Sequence, residues 1–96
     1  MSNIFNISEA GQPPYTIHSW QTAETNPAHT AVRGDWGLAL ELLLNQFSSS
    51  EYPIIPNTPE VLAAPKITDC TGEIVFDSAD NDNQQLIKQA LEELGL

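Results

Sequence analysis

The run from Trp36 to Phe47 leaves this chain few ways to fold. Trp36, Leu40, Leu43, Leu44 and Phe47 recur at the spacing of one helix face. Leu38, Ala39 and Leu42 widen that face until most of the circumference is apolar. A helix of this kind has only a narrow polar side to turn to water, so it belongs at the centre of the core with the remaining chain packed around it. Asp35 stands where an N-cap belongs, and the serines at 48–50 end the run. The pattern predicts a helix over about 35–48 at the centre of the core.

The flanking segments supply the wrapping. Residues 3–8 alternate weakly around Ile4, Phe5 and Ile7, and Gly11, Pro13 and Pro14 then turn the chain. Tyr15 to Gln21 is rich in strand formers, with Tyr15, Ile17 and Ser19 facing one way and Thr16, His18 and Trp20 the other. A first hairpin over 3–21 is expected. Residues 22–34 read as a loop. Four prolines in 49–65, Pro53, Pro56, Pro59 and Pro65, exclude a long helix or a central strand there. Thr58-Pro59-Glu60 predicts a short helix over 59–64. Residues 66–68 and 73–77 flank Asp69-Cys70-Thr71-Gly72, the chemistry of a type I turn with a bulge, and form a second hairpin. Asp82 with Gln85 resembles a capping box opening a last helix over about 82–94, with Ile87, Ala90, Leu91 and Leu94 on one face.

The expected class is therefore α+β, in the order β-β-α-β-β-α. Two β-hairpins would form an antiparallel four-stranded sheet with two main helices packed on one face. At 96 residues and 41% apolar content, the whole of 1–96 is expected to be one domain.

Charge bears on function. Thirteen acids face three bases, Arg33, Lys66 and Lys88, for a formal net charge of −10. A one-signed surface of this kind repels nucleic acid and anionic membranes and attracts basic proteins. Seven of the acids follow residue 66, and Asp69, Glu73, Asp77, Asp80 and Asp82 follow one another with no base between. Such a row of carboxylates imitates backbone phosphates. Read without function, the same row is a solvated loop and a helix cap.

The catalytic and metal readings are weak. Asp80-x-Asp82 resembles the opening of a calcium loop, but the sixth position is not glycine and Leu91 stands where the closing glutamate belongs. His18 and His29 lack evident third and fourth ligands for zinc. Cys70 is the only cysteine, and an acidic hairpin is the opposite of the electropositive setting a nucleophilic thiolate needs. No glycine-rich phosphate loop is present. Paired carboxylates abound, but a chain this short offers little room for a deep glycosidase cleft. No cofactor, metal or catalytic residue is expected.

The reading that results is a small, acidic, non-enzymatic binding or inhibitor protein docking on a basic, nucleic-acid-binding protein. Its partner-facing residues would be Asp69, Glu73, Asp77, Asp80, Asp82, Glu92, Glu93 and Tyr52, the last an aromatic in the proline-stiffened loop 49–57. Small acidic phage proteins share this physical profile, which is an analogy of surface only. The alternative is a structural subunit of a virion or other assembly. The amino terminus carries no basic residue or apolar run of signal length, so a cytoplasmic protein without membrane contact is expected.

Overall fold

A computed structural model describes residues 8–48 and 61–94. The elements in chain order are β1 (Tyr15–His18), β2 (Gln21–Thr22), β3 (Thr30–Arg33), α1 (Trp36–Ser48), β4 (Val61–Ala63), β5 (Lys66–Thr68), β6 (Ile74–Asp77) and α2 (Asn81–Leu94). The class is α+β, as expected. A four-stranded sheet runs β3-β1-β5-β6, antiparallel throughout, and β2 pairs with β4 in a two-stranded extension.

The two hairpins are β1/β3 and β5/β6, and their inner strands β1 and β5 pair at the centre. Here the strands differ from expectation. β1 has both edges filled by β3 and β5, so its hairpin partner comes from the segment read as loop, not from residues 3–8. Of those, 3–7 lie outside the described residues. Residues 61–63, expected in a short helix, are the strand β4; its expected start at Thr58-Pro59-Glu60 lies outside the described residues.

Register assigns the two faces of the sheet. Ala31, Ile17, Ile67 and Phe76 stand opposite one another in one row across the four strands. Ile17, Ile67 and Phe76 are buried, together with Tyr15. This is the face that meets α1, whose buried residues Trp36, Ala39, Leu40, Leu43, Leu44 and Phe47 follow helical spacing. Asp35 caps α1, with Leu38 N donating to its Oδ1 at 3.0 Å. The apolar stripe is narrower than the sequence suggests, because Leu38 is 52% exposed. α2 adds Ile87 and Ala90 to the same core. Tyr15 meets Trp36 edge-on at 5.0 Å between centroids, and Trp20 meets Phe47 edge-on at 5.4 Å.

Strict alternation would put Trp20 on a face with Thr16 and His18. β1 ends at His18, the alternation breaks at Ser19, and Trp20 turns into the core. Beyond that break the pairing resumes in step. His18 faces Lys66 and Gln21 faces Ala63, so β1–β2 and β4–β5 form one bent ribbon, with an irregularity only between Gln21 and Thr22. The bend is pinned at buried Pro65, whose carbonyl accepts from Ser78 N at 3.2 Å and from the Ser78 hydroxyl.

Candidate functional site

The expected acidic face divides between two ends of the second hairpin. Asp69 opens the β5–β6 turn, and Gly72 closes it with a positive φ of 86° and an N–H donated to Asp69 O at 3.0 Å. The Asp69 side chain is turned inward, only 6% exposed. Its Oδ1 accepts from Thr71 N (2.9 Å), Thr71 Oγ1 (2.5 Å) and Glu73 N (3.1 Å). Gly11 lies directly against it, close enough that an added Cβ would stand 2.6 Å from Asp69 Oδ2. Asp69 is therefore the keystone of a turn, and it has little carboxylate left to offer a partner. Glu73, beside it, is exposed.

The hydrogen bonds to Asp69, led by that from the Thr71 hydroxyl, hold its carboxyl below the ordinary 3.8. A depressed carboxyl stabilises the fold fully above its unfolded value and loses that contribution as pH falls through the lower, folded value. We expect Asp69→Asn to flatten the acid limb of stability, so that urea midpoints of variant and wild type converge below about pH 4. A gap that stays constant from neutral pH down to strong acid would refute this.

Asp77, Asp80 and Asp82 gather at the other end of β6. Asp77 Oδ1 accepts from Ala79 N at 2.9 Å. Asp80 is the cap of α2: its Oδ1 accepts from Asp82 N at 2.9 Å, and its carbonyl accepts from Gln84 N at 2.9 Å. The capping role expected of Asp82 thus falls to Asp80, and Asp82 sits in the first turn, exposed. The chain is helical from Asn81 onward, which replaces the calcium-loop geometry with an ordinary helix start. Glu92 and Glu93 are exposed near the far end of α2, about 15 Å along the axis from Asp82 at 1.5 Å per residue. Tyr52 lies outside the described residues.

His18 and His29 go to opposite faces. His18 faces Thr30 across the β1/β3 pair, which puts His29 one position further and on the other side. His29 is exposed, and its carbonyl accepts from Ser19 N at 2.9 Å. Cys70 is exposed on the hairpin turn. Among the described residues no group of three or more His, Cys, Asp or Glu side chains is placed to hold a metal ion.

The sheet face away from α1 carries features that residue patterns did not single out. One row reads Val32, Thr16, Thr68, Ile74, and the next reads Thr30, His18, Lys66, Asp77. Val32 is 56% and Ile74 48% exposed. His18 Nε2 lies 3.0 Å from Thr68 Oγ1, which ties the rows together. Burial lowers the proton affinity of His18, and the charge of Lys66 lowers it further. The second row ends at a cavity of about 330 Å³ where the ribbon bends, bounded by His18, Thr30, Lys66, Pro27, Ala28 and Ala63. Alternation in Thr16-Ile17-His18 and Lys66-Ile67-Thr68 marks these positions as one-sided, but only the pairing of strands so distant in sequence brings them together.

Comparison with protein-family models, with curated proteins and with solved structures finds no match to the chain.

Proposed function

We propose that the chain is a small acidic binding protein, of the inhibitor type, that docks on a basic, nucleic-acid-binding protein and occupies its phosphate-binding groove. The observation that carries this reading is the succession of exposed acids Glu73, Asp80, Asp82, Glu92 and Glu93 along the second hairpin and α2. Within that stretch of a chain of net charge −10, Lys88 is the one base. Asp77 is half-buried and contributes at the edge of this surface, whereas Asp69 serves the fold. Exposed carboxylates on rigid elements give an electrostatic surface that needs little ordering on binding. Among the described residues no helix is long and apolar enough to cross a membrane.

Contacts of this kind weaken as salt screens them. At about 0.05 M salt the Debye length is roughly 14 Å, and at about 0.5 M it is roughly 4 Å. Affinity capture from the native host is expected to retain a basic protein at the lower salt and release it at the higher. Neutralising Glu73, Asp80, Asp82, Glu92 and Glu93 to amides should abolish that capture. Retention equally tight at both salts, or unaffected by the five substitutions, would overturn the proposal.

One observation favours a second reading, a subunit of a larger assembly. Val32 and Ile74 are exposed on the sheet face away from α1, and among the described residues β3 and β6 are the outer strands of the four-stranded sheet. Concentration-dependent association by light scattering would support it, and a monomer at every concentration would count against it.

A further inference from the structure

The cavity at the bend of the ribbon meets the acidic surface only at its edge, where Asp77 is the cross-strand neighbour of Lys66. Register sets Thr30, His18 and Lys66 side by side on neighbouring strands with their side chains on one face, and all three line it. We propose that this cavity binds a small carboxylate carried on an apolar body, with Lys66 as the charged anchor and His18 and Thr30 beside it.

The distribution of basic groups supports this. Arg33 is exposed and donates through Nη1 to its own neighbour's carbonyl, Val32 O, at 2.7 Å. Lys88 is exposed on α2. Of the three bases, Lys66 is the one that lines this cavity. Its neighbour on the far side is Asp77, whose Oδ1 is already engaged by Ala79 N. Among the described residues no ion pair engages Lys66. The His18 ring is held through Nε2 by the Thr68 hydroxyl, so it is positioned before any ligand arrives.

The remaining walls set the rest of the ligand. Pro27, Ala28, Ala63 and Ala64 are small and apolar, while the two further polar residues of the lining are engaged elsewhere, Ser19 Oγ donating to Gln46 Oε1 and Gln21 Nε2 to Asn26 Oδ1, each at 2.6 Å. The volume of about 330 Å³ falls at the lower end of the range for small-molecule sites. A phosphate dianion wants several converging N–H donors, as at a helix N-terminus or an arginine fork. The ammonium of Lys66, the imidazole of His18 and the hydroxyl of Thr30, beside a wall made largely of Pro27 and the three alanines, suit a monoanionic carboxylate with an aromatic or branched body.

The test uses the full chain and benzoate as probe, at about pH 7 and about 0.15 M sodium chloride so that the protein's net negative charge is screened. Resonances of the His18 imidazole and of the Ala28 and Ala63 amides are followed by NMR. The expected result is a saturable shift of these signals with a dissociation constant on the order of 1 mM, and a rise in the His18 pKa at saturation. Benzyl alcohol, the uncharged counterpart, should give no saturable shift, and inorganic phosphate should bind more weakly than benzoate. Lys66→Met should weaken benzoate by about tenfold or more. The proposal is overturned if benzoate gives no saturable shift, if benzyl alcohol matches it, if phosphate binds more tightly, or if Lys66→Met binds as wild type does. Should that variant fail to fold, the comparison of benzoate with benzyl alcohol on the wild-type chain decides alone.

Discussion

Gly11→Ala is expected to lower stability by about 2–4 kcal/mol, read as a fall in the urea midpoint with an unchanged slope. Two causes act together. Gly11 has a φ of +69°, a left-handed conformation in which an L side chain is strained. The new Cβ would also stand 2.6 Å from Asp69 Oδ2, 2.7 Å from Asp69 Cβ and 2.8 Å from Val75 Cγ1. Asp69 cannot yield, because its carboxylate holds the turn, and Val75 is packed against the core. Gly72 separates the two causes. Its φ is +86°, yet nothing lies within 4 Å of an added Cβ. Gly72→Ala should therefore cost only the backbone share, about 1–2 kcal/mol. Equal costs at the two glycines would show that the close approach at Gly11 contributes nothing.

Leu43→Ala is expected to destabilise the protein by about 3–5 kcal/mol. Leu43 is fully buried on α1, in contact range of a core that includes Leu40, Leu44, Ile17 and Ile67, each at 2% exposure or less. Truncation removes burial and leaves a cavity between a helix and a sheet that close only partly around it. Stabilities of small domains are about 5–15 kcal/mol, so this single change takes a large share. Leu38→Ala, five residues back on the outward face and 52% exposed, should fall within about 0.5 kcal/mol of wild type. Comparable losses at Leu38 and Leu43 would mean that the outward face of α1 is covered in solution.

The contrast between these leucines marks how far residue patterns reach. Local chemistry located α1 with its Asp35 cap, the Asp69–Gly72 turn and the class of the fold. Those features depend on a few adjacent residues and one periodicity. The partner of β1 does not. Thr30-Ala31-Val32-Arg33 carries little strand signal beside Gly34 and Pro27, and it becomes a strand because β1 offers it an edge. Val61 to Ala63 likewise follows helix-start residues yet is strand, because β2 lies opposite. The same limit applies to the candidate sites. That Asp69 is acidic is plain from its letter. That it faces inward, while Glu73 faces water, follows from turn geometry and the approach of Gly11. The Thr30–His18–Lys66 row depends on two strand registers at once, which no single stretch of sequence encodes.

The bent ribbon couples two short joints far apart in the chain. Ser19-Trp20 and Ala64-Pro65 bridge the same gap from opposite strands, and the pairing on either side stays in phase. Each joint therefore acts as a spacer matched to the other. Their side chains can change so long as Trp20 finds the core and Pro65 its corner, but their lengths can change only in concert. One residue added to either joint alone would rotate everything beyond it by half a pleat, exchanging inside for outside along the arm.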